Sequence, residues 1–360
     1  MLATRIFRLW YLVNEDNVNI INRSIERGTR ALLGAAFGLT LGLSLAGVGP
    51  AMAEDAASSQ LAVVRQGIPH DALYAMVING KEGLAVGAAG KLLETKDGGA
   101  TWAEGASGTE FGLFGIALEG EHKIIVGQRG TVLVGGADGK WTPGQSGTEN
   151  RLLNVGVNSS GLAIAVGEFG TILRSKDGGK TWEQRPVDWA AFRDDGYEPH
   201  IYAVDVQDNG RILIGAEFAY LITSDDGGET FQLAHKGEKS VFAMHMLADG
   251  TGYAVGQEGL AMKTTDNGAT WTELDTKSNA NLFGVWASSQ GEIVATGMRA
   301  LLRSSDGGQT FTASEDLEVV RNWYVPVAMG QAEFKGDGGA MVQEVVYIAG
   351  YQGTIARVLR

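Results

Sequence analysis

The sequence of 360 residues contains no cysteine. Disulfide bonds, thiolate metal sites and a lipid-modified cysteine anchor are therefore excluded. Proline is also scarce, with six residues, so few positions interrupt the backbone hydrogen bonding of strands. We expect the packing of secondary structure alone to hold this fold together.

Basic charge is the second shortage. The chain has 29 Lys and Arg against 42 Asp and Glu, a formal net charge of −13 at pH 7. A chain this acidic is a poor match for nucleic acid or for an anionic membrane surface. We therefore expect a protein as the partner, with no nucleic acid and no direct lipid anchor.

One apolar run near the N-terminus differs in composition from the rest of the chain. Arg23, Arg27 and Arg30 precede the apolar residues 31–48, and Gly49-Pro50-Ala51-Met52-Ala53 has the form of a signal-peptidase site. We interpret residues 1–53 as an N-terminal extension with an export signal cleaved after Ala53, which predicts an exported, periplasmic protein. The alternative is an uncleaved anchor, because the apolar run approaches the length that spans a bilayer.

Glycine, in contrast, is abundant, with 53 residues, and much of it belongs to a repeat. Two short strands joined by a Gly-containing turn recur seven times, and the first glycine of each copy is residue 87, 127, 167, 215, 256, 297 or 350. Self-similarity with a period near 40 residues, built from short strands, is typical of a β-propeller. We predict an all-β fold over residues 54–360, with seven four-stranded antiparallel blades.

Five of these strand pairs lead into a turn of the form Ser/Thr-x-Asp-Gly/Asn-Gly-x-Thr-Trp/Phe. Its Asp and aromatic residues are Asp97 and Trp102, Asp177 and Trp182, Asp226 and Phe231, Asp266 and Trp271, and Asp306 and Phe311. We expect each carboxylate to accept hydrogen bonds within its own turn and each ring to pack on a neighbouring sheet. The alternative, catalytic or Ca²⁺-binding Asp residues, is disfavoured because each Asp belongs to a different blade.

The last blade lacks a fourth strand before the chain ends. Residues Leu61–Arg65 precede the first inner strand and have no other assignment, so we predict that they complete the last blade and close the ring. The inner strands share a small third residue, and this pattern aligns the seventh inner strand as Trp323-Tyr324-Val325.

Strand connectivity places the loops on two faces. The Asp turns emerge on one face, and we call the other, which carries the second-to-third-strand turns and the blade-to-blade crossings, the crossing face. We predict that a partner binds there, through the crossing 185–197 and the shorter turns; the candidate residues are Arg185, Trp189, Phe192, Arg193, Tyr197, Arg129, Arg151, Phe169, Arg299 and Arg321. The alternatives are a crossing packed on itself and solvated turn residues.

No cofactor or metal is indicated. The five histidines show no metal-ligand spacing, and no phosphate-binding glycine loop precedes a helix; the histidines are His70, His122, His200, His235 and His245.

The strand pairs of the form VGxxGxxL and the Asp turns cover residues 61–360 behind an export signal. Together they resemble the photosystem II assembly and stability factor family, and the turns resemble the Asp boxes of the bacterial neuraminidase repeat. The resemblance implies a seven-bladed, non-enzymatic propeller that docks onto a membrane-embedded complex through an arginine-rich patch. Here the arginines are few and interleaved with Glu168, Glu217 and Glu258, so we expect a relative that serves another envelope complex.

Two other functions remain open. A sialidase-like glycoside hydrolase would share the Asp turns, but the segment Phe-Arg-Ile-Pro is absent and no Tyr/Glu pair stands out. A carboxylate pair such as Glu168 and Glu217 would then have to converge on folding. Binding of a carbohydrate without hydrolysis, with Trp189 or Phe169 stacked on a sugar, is the second possibility. We predict a protein-binding scaffold without catalysis.

Overall fold

The computed structural model describes residues 60–192, 196–336 and 339–359. The predicted export segment 1–53 and Arg193 lie outside these residues. The described chain forms seven four-stranded antiparallel sheets, which confirms the predicted seven-bladed propeller. None of its helices in these ranges is long and apolar enough to span a membrane.

Strand β1 (Leu61–Arg65) precedes the first blade. Blade 1 contains β2 (Leu73–Asn79), β3 (Glu82–Gly87), β4 (Leu92–Thr95) and β5 (Ala103–Glu104). Blade 2 contains β6 (Leu113–Glu119), β7 (His122–Gly127), β8 (Val132–Gly135) and β9 (Trp141–Pro143). Blade 3 contains β10 (Leu152–Val157), β11 (Ala163–Gly167), β12 (Ile172–Ser175) and β13 (Glu183–Gln184). Blade 4 contains β14 (Ile201–Val206), β15 (Ile212–Ala216), β16 (Leu221–Ser224) and β17 (Gln232–His235). Blade 5 contains β18 (Val241–Met246), β19 (Gly252–Gly256), β20 (Ala261–Thr264) and β21 (Thr272–Glu273). Blade 6 contains β22 (Leu282–Ala287), β23 (Ile293–Gly297), β24 (Ala300–Ser304) and β25 (Thr312–Ala313). A short α-helix, Leu317–Arg321, leads to blade 7 with β26 (Tyr324–Gly336), β27 (Gly339–Gly350) and β28 (Ile355–Val358).

The ring closes as the sequence predicted. Blade 7 has the strand order β1-β28-β27-β26, so the first strand of the chain forms the outer strand of the last blade. Leu61 pairs with Val358 and Val63 with Ala356 in antiparallel register. The innermost strands contact one another in cyclic order, and β26 contacts β2 across the closure.

The recurring glycine at the end of the second strand has a steric cause. A β-carbon on Gly87 would lie 1.7 Å from the carbonyl oxygen of Ala72, and one on Gly167 would lie 2.0 Å from that of Arg151. That carbonyl accepts a hydrogen bond from the first residue of the following turn, for example Ala88 N at 3.0 Å. Glycine therefore recurs because the inner strand passes too close for a side chain.

The structure corrects the sequence alignment at two blades. In blade 4, Ile201 pairs with Ala216 just as Leu152 pairs with Gly167, so the equivalent position is Ala216 and not Gly215. The backbone differs there, with φ −138° at Ala216 against −169° at Gly127. In blade 7, Tyr324 pairs with Gly350, which shifts the predicted inner-strand pattern by one residue.

Each Asp turn is an internally hydrogen-bonded unit. In blade 5, Asp266 accepts bonds from Thr270 N at 2.9 Å and Thr270 Oγ1 at 2.6 Å, and Thr264 Oγ1 donates to it at 2.7 Å. The same contacts surround Asp97, Asp177, Asp226 and Asp306. These carboxylates therefore stabilise their own turns.

The aromatic residue after each Asp turn packs on the preceding blade. Trp271 Nε1 donates to Gly268 O at 3.2 Å, and its ring lies in a cluster with Leu213 and Leu221 of blade 4. Trp182 packs with Val134 and Val132 of blade 2, and Phe311, Phe231 and Trp102 occupy the same position in their blades. In the five blades that have an Asp turn, one large ring thus packs the blade against the preceding one.

We expect the Asp turns to contribute less to the stability of the fold as the pH becomes acidic. The bonds from the Thr270 hydroxyl and N–H and from the Thr264 hydroxyl lower the pKa of Asp266 from 3.8 to about 2. A carboxylate whose pKa is lowered by folding contributes its full stabilisation at pH values above its unfolded pKa. This stabilisation is lost as the pH falls through the folded pKa. Asp266→Asn should therefore have a lower melting temperature than the wild type at pH 7. The difference in melting temperature should narrow between about pH 4 and pH 2, and circular dichroism measures it.

The control is Glu273→Gln, an exposed carboxylate in β21 of the same blade. It should leave the melting temperature unchanged across this pH range. A gap between wild type and Asp266→Asn that stays constant down to the acid end would contradict this role of Asp266.

Candidate protein-binding face

The second-to-third-strand turns present a ring of side chains on the crossing face. The central residue of each turn is non-glycine with a positive φ of 51° to 59°, namely Ala89, Arg129, Phe169, Phe218, Glu258, Arg299 and Gln352. This backbone region is unfavourable for side chains larger than glycine. The turns are held by backbone bonds to the neighbouring crossing, such as Gly170 N to Pro199 O at 2.9 Å. The central side chains are therefore displayed from fixed supports.

Large apolar side chains are exposed mainly on this face. The exposed members here are Ile68, Phe111, Phe169, Tyr197, Met298, Leu317 and Val320, which belong to its turns and crossings. Ile68, Leu317 and Phe169 are the most exposed of these, with 60%, 58% and 57% of their surface exposed. The other exposed large apolar residues in the described ranges lie in blade 7, at Val63, Met341, Val342 and Leu359. Apolar groups gathered on one face of a folded protein are typical of an interaction surface.

The crossing between blades 3 and 4 is mostly packed on itself. Trp189 is only 5% exposed, stacks on Tyr220 at a ring-centroid distance of 6.1 Å and meets the edge of Phe192 at 6.0 Å. Phe192 is half-buried against the same cluster. For these two residues the structure shows the self-packed alternative, and Trp189 has no exposed ring face for a sugar.

Arg185 lies between blades rather than on the open face. Its guanidinium is 2.6 Å from a carboxylate oxygen of Glu229 and donates to Gly228 O at 3.0 Å. Arg174 contacts the same carboxylate at 2.7 Å. Arg185 therefore joins blade 3 to the Asp turn of blade 4.

The remaining predicted arginines differ in availability. Arg151 pairs with Glu168 at 2.7 Å and is half-buried. Arg129 is exposed and lies over the ring of Phe111, 5.5 Å from its centroid. Arg299 and Arg321 are exposed and form no ion pair within the described residues. These last three arginines are therefore available to a partner.

Tyr197 and Phe169 are two exposed aromatic residues of the crossing face. The hydroxyl of Tyr197 donates to Glu217 at 2.8 Å, and its ring meets the edge of Phe218 at 5.6 Å. Phe169 meets the edge of His200 at 5.1 Å, and its N–H donates to His200 Nδ1 at 3.2 Å. Both aromatic rings are therefore held from one side and exposed on the other.

Glu168 and Glu217, the example of a carboxylate pair for a glycosidase, are both engaged in ion pairs or hydrogen bonds. Glu168 is 8% exposed, is paired with Arg151 and accepts the Arg151 N–H at 3.3 Å. Glu217 is also 8% exposed and accepts bonds from the Tyr197 hydroxyl and from His200 N at 2.9 Å. Both carboxylates hold turns to inner strands. Among the described residues no cluster of His, Asp and Glu has the arrangement of a metal site.

Sequence reasoning missed an aromatic belt on the innermost strands. Tyr74 lies between Phe114 at 5.5 Å and Trp323 at 6.2 Å, and Phe242 lies between Tyr202 at 5.2 Å and Phe283 at 5.7 Å. Burial raises the pKa of the Tyr202 hydroxyl, so this residue stays neutral. The signal was the middle residue of the inner-strand pattern, of which we used only the small third residue.

Comparison with solved structures shows the fold to be shared. A structure of YCF48 bound to D1 peptide is 19% identical, with coverage of 84% of this chain and 96% of that chain and a TM-score of 0.63. YCF48 from Cyanidioschyzon merolae is 17% identical, with 83% and 98% covered and a TM-score of 0.64. The WD40 β-propeller domain of Doa1 is 11% identical, with 83% and 96% covered and a TM-score of 0.61. No family model and no curated protein matches the sequence.

We expect Trp189 and Phe169 to respond oppositely to substitution. Trp189→Ala removes a buried ring and should lower the free energy of unfolding by about 3–5 kcal/mol. Phe169→Asn removes an exposed ring at a position with φ 52°, which asparagine tolerates, and should change it by less than about 0.5 kcal/mol. Urea denaturation measures both; equal destabilisation would contradict the assignment of one ring to packing and the other to the surface.

Proposed function

We propose that this protein is an exported, non-enzymatic scaffold whose crossing face binds a protein partner belonging to a membrane-associated complex. The observation that carries the proposal is the gathering of exposed apolar side chains on that face beside unpaired arginines. Arg129 of the β7–β8 turn lies over the ring of Phe111 in the neighbouring crossing, and Leu317 and Arg321 belong to one short helix, so each pair brings an apolar group and a positive charge to this face. Aromatic residues and arginine are the side chains most enriched at protein interfaces.

The structural comparisons support a protein-binding role at the level of the fold. One YCF48 structure holds a peptide of D1, and the Doa1 structure is of a WD40 β-propeller domain. The resemblance of the strand pairs and Asp turns to photosystem II assembly factors supports an assembly or stability role. Glu168 and Glu217 are engaged within the face, but exposed Glu258 lies among its few arginines, which favours a different partner of the same general kind.

Export rests on the sequence of residues 1–53, with three arginines before an apolar run and a small-x-small site. A mature protein in the periplasm that begins at Glu54 is the outcome this predicts. N-terminal sequencing of the protein from fractionated cells is the measurement, and a protein retained at full length in the cytoplasm would contradict it.

The partner should be lost when the apolar character of the crossing face is removed. We expect Phe169→Asn with Leu317→Gln to reduce partner recovery in affinity purification after crosslinking by about tenfold, with the melting temperature unchanged. Both side chains are more than half exposed, so their replacement removes surface rather than core.

The matched control is Val63→Thr, which replaces an exposed apolar residue on the outer strand of blade 7. This variant should recover the partner as the wild type does. Equal recovery by the double variant would contradict the assigned face. Hydrolysis of aryl-glycosides or sialosides that is abolished by Glu168→Gln would contradict the absence of catalysis.

A further inference from the structure

Blade 7 carries a hairpin that is longer than any other in the described chain. Strands β26 and β27 have 13 and 12 residues, whereas the first two strands of the other blades have five to seven. Their pairing continues from Ile348 opposite Val327 out to Gly339 opposite Gly336. Because β27 ends at the crossing face, its first half extends beyond the blade on the Asp-turn face. We call this half, residues 339–346, the extension.

The outer edge of the extension is unpaired. Strand β28 pairs with β27 only from Tyr347 to Ala349, and no strand among residues 60–192, 196–336 and 339–359 pairs with the outer edge of 339–346. Gly350 N donates to Thr354 O on the β28 side at 3.1 Å. Alternate residues of a strand face the same edge, so Glu344 and Val342 direct their N–H and C=O groups outward.

The extension is held in place at its base. Gln331 N donates to Gly98 O of the blade 1 Asp turn at 2.8 Å, and the Tyr347 hydroxyl donates to Gln331 O at 3.3 Å. Met341 and Val342 are nevertheless 56% and 65% exposed. An exposed, apolar and anchored edge strand is the arrangement that pairs with another strand.

A cleft of about 620 Å³ between blades 6 and 7 continues this edge. Gln343, Glu344, Val345 and Val346 line one side, and Ile293, Val294, Arg303 and Thr310 line the other. Arg303 donates to Leu359 O at 2.7 Å, and Arg357, which also lines the cleft, is half-buried. Glu344 is exposed and forms no ion pair within the described residues. Within residues 339–346 Glu344 is therefore the one charged side chain, and Glu292, Arg303 and Arg357 line the cleft beside it.

We propose that residues 341–346 of β27 bind an extended peptide segment of a partner protein as an added strand. The segment carries a basic side chain opposite Glu344 and apolar side chains beside Met341 and Val342. A second copy of this chain is a poorer occupant, because its formal net charge of −13 adds repulsion and its own edge would place no base opposite Glu344. The site lies away from the crossing face and does not depend on the function proposed above.

Proline at residue 342 tests the added strand. Its N–H points away from β26, so Val342→Pro removes an outward donor while sparing the hairpin, whereas Val342→Thr keeps the donor and a β-branched side chain. A phage-displayed library of random 12-residue peptides, selected on the full mature protein, supplies the probe. We expect selected peptides rich in β-branched residues and Lys or Arg, and affinity at least about tenfold lower on Val342→Pro but retained on Val342→Thr.

Glu344→Lys should weaken the same peptides and Phe169→Asn should not, which separates this site from the crossing face. Circular dichroism of Val342→Pro must match the wild type; if it does not, Glu344→Lys alone decides. Selection of no peptide, or of peptides that bind all variants equally, would overturn the proposal. A wild type that dimerises in sedimentation while Val342→Pro stays monomeric would also overturn it, because the edge would then serve a second copy.

Discussion

The fold depends on the pairing of β1 with β28, because every blade needs a neighbour on both sides. Each sheet buries its faces against the next, and the aromatic residue after each Asp turn packs on the preceding blade. Only a closed ring satisfies all seven interfaces. Leu61 of β1 packs in the same cluster as Trp286 and Val294, so it contributes to the interface between blades 6 and 7. It does so where the first strand of the chain pairs with the last. Without cysteine, this pairing is what joins the two ends.

The two faces of the ring differ in how their polar and apolar groups are used. On the Asp-turn face the Asp carboxylates accept hydrogen bonds from their own turns. These bonds engage the oxygens that catalysis or Ca²⁺ binding would need. On the crossing face Glu168 and Glu217 likewise accept hydrogen bonds, from the N–H groups of Arg151 and His200, which directly precede inner strands. What stays available on that face is apolar surface, a few arginines and the exposed turn residue Glu258.

The sequence predicts the fold well because the repeat records a local constraint. In six of the seven blades glycine recurs where a β-carbon would strike the carbonyl just before the inner strand, so the repeat reveals the blades. The glycine marker is wrong by one residue in blade 4, where Ala216 and not Gly215 holds the equivalent position. In blade 7 the marker Gly350 is right, but the inner-strand pattern was aligned one residue early, on Trp323 instead of Tyr324. The candidate site is predicted less well. The aromatic content of the crossing 185–197 indicates neither burial nor exposure, and only the packing of Trp189 on Tyr220 shows that its ring is covered. The length of the β26–β27 hairpin was visible as a long repeat step, but its open edge depends on where β28 ends.

The most direct test of the account is site-specific photocrosslinking in intact cells. A benzophenone amino acid at position 169 would stand on the crossing face, and one at position 63 would stand on the outer strand of blade 7, with both sites exposed. The account predicts a discrete protein adduct from position 169, identified by mass spectrometry as a component of a membrane-associated complex, and none of that mass from position 63. Adducts that are the same from both positions, or absent from position 169, would contradict it.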